Sequence, residues 1–190
     1  MSVRTLQRMD GATFYCTFTC WQWLPLIERT NTYDHLYSWM RIVHSKGFRI
    51  FGFVIMPNHV HLILHVPEGK SVNAVLANAK RFLAYEIRKR LNTSGEHGML
   101  ARLRAAVRAC DAARGQLYRV FMPSSDIREC FDEAMIQQKL DYIHANPVKG
   151  KWQLAENFRD YPHSSAGYYE RGDVSPAPVQ HYQSALRDDQ

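Results

Sequence analysis

Apolar residues alternate with polar ones, or form short unbroken runs, in four stretches of the chain, and this pattern predicts four β-strands. The predicted strands cover residues 12–21, 48–55, 59–66 and 117–122. The second and third are joined only by Met56-Pro57-Asn58, a short link containing proline that is typical of a hairpin. Pro123 ends the fourth strand.

Stretches with apolar residues at helical spacing separate these strands. The predicted helices cover residues 32–45, 72–91 and 132–146, and a shorter Arg/Ala-rich helix is predicted over residues 99–114. Ser71 is placed to cap the second helix, and Pro147 ends the helix at 132–146. The main elements therefore run strand, helix, strand, strand, helix, strand, with one further helix towards the C-terminus.

This order is the split βαβ arrangement of ferredoxin-like folds and predicts an α+β domain. We expect an antiparallel sheet with helices packed on one face, while the other face is free to carry a site or a nucleic acid. The helix at 132–146 is additional to that plan and can lie across the sheet. One domain is predicted over residues 1–171, followed by a loosely ordered, Pro/Ser/Gln/Asp-rich tail over residues 172–190.

Composition narrows the classes of protein that the chain can represent. Its 190 residues suit one globular domain, and no apolar run approaches the ~20 residues that span a bilayer, so no membrane partner is expected. The N-terminus has no apolar signal core, which predicts a cytoplasmic location. The four cysteines match no paired zinc spacing and are expected to be reduced thiols.

Positive charge is concentrated in one segment. The formal net charge is +6, and residues 80–108 contain eight Lys or Arg against two acids, Glu86 and Glu96. Such a segment favours a polyanion, and nucleic acid is the commonest polyanionic partner of a cytosolic protein. A solvated helix face would have the same composition, so charge alone leaves both interpretations open.

Two histidines begin the strand predicted at 59–66. Because side chains alternate along a strand, His59 and His61 share one face and lie about 6–7 Å apart along it. Two neutral imidazoles on one face are half of a metal site, although they also suit a solvated sheet face. Ile63 interrupts the pattern before His65, so the HxHxH motif of the histidine-triad nucleotide hydrolases is absent.

Tyr142 and Asn146 lie four residues apart on the helix predicted at 132–146 and therefore share one of its faces. The buried side of that helix is predicted to contain Ile136, Leu140 and Ile143. An amide oxygen one turn from a phenol can ligate a metal while the phenol reaches a nearby electrophile. A surface tyrosine followed by an asparagine at the helix end is the structural alternative.

Together these motifs resemble those of a known family. The segments MPNHVHLIL, QQKLDYIHANPVKGKW and DYPHSSAGYY resemble, in order and spacing, those of the REP-associated tyrosine transposases, which are single-tyrosine members of the HUH endonuclease and transposase superfamily. The resemblance spans residues 14–169. It implies a ferredoxin-like fold with Tyr142 as the nucleophile and with His59, His61 and Asn146 as metal ligands.

The resemblance implies a metal-dependent single-stranded DNA endonuclease and strand transferase that forms a 5′-phosphotyrosine intermediate, in DNA transposition or repeat processing. Nitrogen and oxygen ligands together suit Mn²⁺ and tolerate Mg²⁺, so we expect Mg²⁺ in the cell with Mn²⁺ able to replace it; Zn²⁺ also fits the ligand types. The expected substrate is a folded single strand, such as the DNA hairpins of repetitive extragenic palindromes. The expected protein is a monomer associated with the bacterial nucleoid, and a homodimer stays open.

Basic and aromatic residues are candidates for DNA contacts, because cations neutralise phosphates and aromatic rings stack on unpaired bases. The candidates are Lys80, Arg81, Tyr85, Arg88, Lys89, Lys139 and Lys149. Lys139 is also placed to favour the phenolate form of Tyr142.

Two other functions fit an antiparallel sheet and a basic charge. One is a non-catalytic, single-stranded nucleic-acid-binding module on an RRM-like sheet. Such a module needs neither the histidine pair nor the Tyr-x3-Asn helix, and HVHLILH does not resemble the aromatic motif of an RRM. The other is a metal-dependent phosphodiesterase that hydrolyses with water, in which Tyr142 is structural. A covalent protein–DNA adduct distinguishes the transesterase from this hydrolase.

Overall fold

One four-stranded antiparallel sheet organises the part of the chain that the computed structural model describes, residues 11–150 and 152–185. The strands are β1 (Gly11–Thr19), β2 (Arg49–Ile55), β3 (His59–Pro67) and β4 (Asp126–Cys130). Their spatial order is β2-β3-β1-β4, so β1 and β3 are central, and every neighbouring pair is antiparallel. The predicted α+β class with an antiparallel sheet is confirmed.

Helices occupy the segments between and after the strands. Within the described residues they are α1 (Leu26–Arg29), α2 (Tyr33–Ser45), α3 (Val72–Thr93), α4 (His97–Ala105), α5 (Ala109–Ala112), α6 (Glu133–Ala145), α7 (Ala166–Arg171) and α8 (Tyr182–Ala185). The Ser71 hydroxyl accepts a hydrogen bond from the Ala74 amide and so caps α3 as predicted. The single helix predicted over residues 99–114 is divided between α4 and α5. No helix in this part of the chain combines the length and the apolar composition that crossing a membrane requires.

The sheet separates two hydrophobic cores. On one face, alternate residues of β3 such as Val60 and Leu62 pack with the buried sides of α2 and α3. On the other face, Ile63 belongs to a core that includes Ile136 and Leu140 of α6. Helix α6, predicted as an addition to the basic fold, therefore covers the face that α2 and α3 leave free.

The fourth strand is not the one predicted at residues 117–122. Val120 and Phe121 are buried in the first core, but this segment makes only an isolated bridge, between Phe121 and Cys20. The chain instead pairs with β1 at residues 126–130. Most side chains of this edge strand point away from the cores, so it lacks the apolar pattern from which a strand is predicted.

Part of the predicted tail, residues 172–190, packs on the domain. The Gln180 amide donates to the Ile50 carbonyl at 2.9 Å, and Tyr182 is buried in the second core. Apolar and aromatic residues within this polar segment provide the contacts. Residues 186–190 lie outside the described part of the chain, as do the first ten residues of the predicted domain.

A glycine in β2 lets α6 approach the sheet closely. The pairing of β2 with β3 shifts between Ile50 and Gly52, and a Cβ atom at Gly52 would overlap the end of the Leu140 side chain. It would also lie 3.5 Å from Ile143 Cδ1 and 3.4 Å from Ser165 Oγ. Since protein interiors are close-packed, a side chain at this position requires the buried Leu140 side chain of α6 to move.

We expect Gly52→Ala to lower the free energy of unfolding by about 1–3 kcal/mol, because the added methyl group must displace the buried Leu140 side chain from its packing position. The control is Gly98→Ala in α4, where an added Cβ meets no atom within 4 Å. That change should raise the free energy of unfolding by about 0.4–1 kcal/mol. Urea denaturation of both variants measures these differences. Equal stability of Gly52→Ala and the unmodified protein would contradict the role given to Gly52.

Candidate active site

Two histidines at the start of β3 lie together on the face that α6 covers. The ring centroids of His59 and His61 are 4.8 Å apart, with an interplanar angle of 84°. The two residues are only 6% and 4% exposed. The strand register thus places both imidazoles on one face, as the sequence predicts, and it also buries them there.

The hydrogen bond at Nδ1 determines the tautomer of His59. This atom lies 2.6 Å from Asn58 Oδ1. The amide of Asn58 is oriented by its other end, because Nδ2 donates to the Trp23 carbonyl at 2.9 Å. Since an amide oxygen only accepts, His59 Nδ1 carries the proton and Nε2 keeps its lone pair.

His61 is held by side chains of β1. Its Nδ1 lies 2.6 Å from Thr17 Oγ1 and 3.0 Å from the Tyr15 hydroxyl, and Thr17 donates its own proton to Tyr15 Oη at 3.1 Å. Thr17 Oγ1 therefore accepts from His61 Nδ1, which leaves the lone pair on His61 Nε2. That Nε2 atom is buried and has no hydrogen-bond partner among the described residues.

Burial keeps both imidazoles neutral. Loss of hydration lowers the pKa of His59 to about 4. The pKa of His61 is lowered to about 3, by burial first and then by the charge of His59. Neutral imidazole is the form of histidine that binds metal ions. Because buried polar atoms nearly always have a partner, the orphaned Nε2 of His61 indicates a place for a ligand.

Helix α6 brings Tyr142 to the histidines. Asp132 caps the helix by accepting a hydrogen bond from the Met135 amide at 2.7 Å. The centroid of the Tyr142 ring lies 5.6 Å from that of His61 and 6.2 Å from that of Tyr15. Tyr142 is 50% exposed, so a substrate can reach its phenol.

Asn146 directly follows α6 and lies one turn beyond Tyr142. Its Nδ2 donates to the Tyr142 carbonyl at 2.9 Å, which leaves Oδ1 as the acceptor of the amide. Within the described residues no hydrogen bond joins it to a histidine, and no group of three or more His, Cys, Asp and Glu side chains could hold a metal ion.

Two of the predicted DNA contacts, Lys139 and Lys149, lie on or just after α6. Lys139 Nζ is 4.9 Å from the centroid of the Tyr15 ring. Its charge is therefore close to the ring that contacts both His61 and Tyr142. Lys149 is exposed beyond the end of the helix.

The other predicted contacts lie on α3, whose buried side packs on the opposite face of the sheet from the histidines. The outer side of α3 and residues 111–125 form a groove with a volume of about 1010 Å³. Its lining includes Lys80, Arg81, Tyr85 and Arg88. Lys89 is not in this lining, and its Nζ lies 3.7 Å from Glu86 Oε2.

Lys80 holds one wall of the groove. Its Nζ donates to three successive carbonyls, those of residues 122–124, at 3.0–3.1 Å, and burial lowers its pKa. Two residues later, Asp126 of β4 stands opposite Thr17, whose hydroxyl contacts His61. The chain that forms this wall therefore leads directly into the edge strand β4, which β1 separates from the strand of the histidine pair.

Arg81 and Arg88 are available to an anion in the groove. Neither side chain makes a hydrogen bond or an ion pair with another described residue. The acid in the lining, Asp111, is already paired with Arg108 and Arg119, at 2.8 and 2.6 Å. The electrostatic character of the groove is therefore positive.

The sequence motifs assign no role to four residues that contact the histidines. They are Tyr15, Thr17, Trp23 and Asn58, of which only Asn58 lies within one of those motifs, MPNHVHLIL. Alternation in the strand at 12–21 puts Tyr15 and Thr17 on the side opposite Cys16, which is the side of the histidines once β1 and β3 are paired. The other two depend on turn conformations that alternation does not reveal.

The sequence of this chain matches a known family over part of its length, and its fold matches a solved structure over nearly all of its length. Residues 26–101 match the family described as IS200-like transposases. A solved structure of a REP-associated tyrosine transposase bound to a REP hairpin has a TM-score of 0.56 and 21% sequence identity, and the match covers 95% of this chain and 92% of that one. A transposase structure from Deinococcus radiodurans covers 72% of this chain and 92% of its own, with 16% identity and a TM-score of 0.37. No curated protein sequence matches the chain.

The family match includes β2, β3 and α3 and therefore both histidines, while the structural match extends over nearly the whole chain. Sequence and fold together confirm the resemblance indicated by the motifs: the chain is similar to the IS200-like transposases in sequence and to a REP-associated tyrosine transposase in fold.

Proposed function

We propose that the chain is a metal-dependent, single-stranded DNA endonuclease and strand transferase that acts on DNA hairpins of REP type, in transposition or repeat processing. The observation that carries the proposal is the half-exposed phenol of Tyr142, whose ring lies 5.6 Å from the buried imidazole of His61, and the Nε2 atom of that imidazole has no partner among the described residues. The match to IS200-like transposases supports a DNA-processing enzyme. A non-catalytic binding module would have no use for this pair of groups.

His59 and His61 would hold a divalent ion, with Asn146 as the third protein ligand. The hydrogen bonds at both Nδ1 atoms orient the rings and leave the Nε2 lone pairs for ligation. Two imidazoles and an amide oxygen suit Mn²⁺ and tolerate Mg²⁺, and we propose Mg²⁺ as the resident ion. When bound, the ion supplies positive charge that stabilises the phosphate in the transition state.

The Tyr142 oxygen attacks the phosphorus of a strand bound over the histidines. The bond between phosphorus and the 3′ oxygen breaks, the tyrosine becomes esterified to the 5′ phosphate, and the 3′ oxygen takes up a proton in place of the one that the phenol loses. The ammonium group of Lys139 lies over the ring of Tyr15, which contacts Tyr142. Its positive charge favours the negative charge that develops on the Tyr142 oxygen. Because the new ester keeps the energy of the phosphodiester bond, a second 3′-hydroxyl can attack it and complete strand transfer.

The groove on α3 would hold the folded part of the DNA. Arg81 and Arg88 can neutralise phosphates, and the exposed ring of Tyr85 can stack on an unpaired base. The REP-associated transposase of similar fold is bound to a REP hairpin, which supports a hairpin as the substrate of this chain. Since Tyr142 and both histidines meet within one chain, we propose a monomer that cleaves in cis.

Tyr142→Phe should abolish the covalent adduct, because it removes the attacking oxygen and keeps the ring. With a labelled single-stranded hairpin and Mn²⁺ or Mg²⁺, the unmodified protein should give a shifted band on a denaturing gel, and the variant should form it on the order of a thousandfold more slowly or not at all. Tyr168→Phe, which removes the hydroxyl of a partly exposed tyrosine on α7, should react normally. Undiminished adduct formation by Tyr142→Phe would exclude this nucleophile, and cleavage without any adduct would favour hydrolysis by water.

His61→Ala should weaken Mn²⁺ binding at least about a hundredfold, because it removes the buried Nε2 ligand. The measurement is an electron paramagnetic resonance titration with Mn²⁺, made in a Tyr142→Phe background with hairpin DNA bound so that no turnover occurs. The control is His65→Ala, two positions beyond Ile63 on the same face, where Nδ1 lies 3.1 Å from Thr13 Oγ1. An unchanged Mn²⁺ affinity in His61→Ala would remove His61 from the ligand set.

Replacing Arg88 and Lys89 together by Ala should weaken hairpin binding and reduce the slope of log affinity against log salt by about one for each phosphate that the protein no longer neutralises. Fluorescence anisotropy at several salt concentrations measures both quantities. The control replaces Arg29 and Lys46 by Ala, which changes the net charge equally at residues outside the groove lining. If the two double variants behave alike, total charge and not α3 determines the affinity.

A further inference from the structure

An exposed tryptophan stands beside the histidine pair. Trp23 ends the short 3₁₀ turn Trp21–Trp23, and its ring centroid lies 5.7 Å from that of His59 at an interplanar angle of 71°. The residue is 59% exposed, which is unusual for so large an apolar side chain. The indole therefore forms a flat apolar surface at the border of the site described above.

The backbone at this turn is strained and firmly held. Gln22 and Trp23 have φ angles of 52° and 58°, in the left-handed region that non-glycine residues rarely adopt. The turn is fixed from both ends, because the Trp21 amide donates to the Val120 carbonyl at 2.8 Å and the Trp23 amide to the Cys20 carbonyl at 3.0 Å. Strain that the surrounding structure maintains is characteristic of functional sites.

One amide couples this turn to the histidine pair. Asn58 donates through Nδ2 to the Trp23 carbonyl at 2.9 Å, and its Oδ1 lies 2.6 Å from His59 Nδ1. Because Asn58 is buried, these two bonds fix the Trp23 backbone relative to the imidazole of His59. The indole therefore projects from a backbone whose position relative to the histidine pair is fixed.

Positive charge lies next to the same turn. The Arg102 guanidinium donates to Gln22 Oε1 at 2.7 Å and lies 5.8 Å from the Trp21 ring centroid. An aromatic surface beside a cation is the combination with which proteins bind single-stranded nucleic acid, because bases stack on the ring while phosphates meet the charge. A packing role does not explain a side chain that is more than half exposed.

We propose that Trp23 is a stacking platform for an unpaired DNA base that adjoins the phosphate attacked by Tyr142. The proposal rests on the proposed function and names a part of its substrate, a single-stranded nucleotide next to the cleavage point. Stacking on the indole would position the strand over His59 and His61 without reading its sequence, since every base has a stacking face.

The test removes the indole without adding backbone strain. Trp23→Gly is suitable because glycine adopts positive φ freely, and Trp23→Phe retains an aromatic ring. Both are made in the full chain with Tyr142→Phe, and binding is measured to a hairpin with single-stranded flanks and to the same stem without flanks. Trp23→Gly should weaken binding of the flanked hairpin about tenfold, with little effect on the bare stem, and Trp23→Phe should restore most of the affinity.

A second measurement locates the base. With 2-aminopurine at successive flank positions, one position should be quenched by the Tyr142→Phe protein and recover its fluorescence in the Trp23→Gly variant. Equal quenching and equal affinity in the Trp23→Gly variant would overturn the platform. The proposed function is judged separately, by whether the otherwise unmodified protein forms a covalent adduct, so a failure of one is distinguishable from a failure of the other.

Discussion

The packing of α6 on the sheet is the contact on which the candidate site depends. Tyr142 lies beside the histidines where α6 packs closely on the sheet at Gly52, and a polar bridge joins the same two elements. In that bridge Ser165 Oγ accepts from the Phe53 amide at 2.9 Å and lies 2.8 Å from Nε2 of His144 on α6. Close packing and a buried hydrogen bond thus act on one helix, and the position of the phenol follows from both.

Periodicity predicts most of the fold because the long helices each bury one regular face, while the first three strands are alternating or unbroken apolar runs. The fourth strand escapes this reasoning because its side chains add little to either core, and its place is determined by backbone pairing with β1. Residues 117–122 have the apolar pattern of a strand because they are buried, although they do not pair as one. Val120 and Phe121 are core residues, but they belong to an irregular segment. Burial and pairing are separate properties, and the apolar pattern reports only burial.

The same distinction applies to the site. Strand alternation suffices to put His59 and His61 on one face, since a period of two follows from backbone geometry alone. Helical spacing places Tyr142 away from the buried stripe of its helix. That Tyr142 lies close to His59 and His61 is predicted only by the family resemblance. The contact between Trp23 and His59 cannot be predicted from periodicity. It depends on two successive residues in the left-handed conformation and on a hydrogen bond from the Asn58 amide, and neither produces a periodic pattern in the sequence.

The triple hydrogen bond of Lys80 has a consequence for how the basic segment is understood. An ammonium group has three protons, and in Lys80 each of them is donated in a hydrogen bond to a backbone carbonyl oxygen. A cation so enclosed has no proton left to donate to a phosphate, so it releases few counterions from a polyanion that binds nearby. It therefore contributes rigidity to the groove and little to the ionic attraction. The formal charge of the chain accordingly overstates the number of its positive groups that can meet a phosphate.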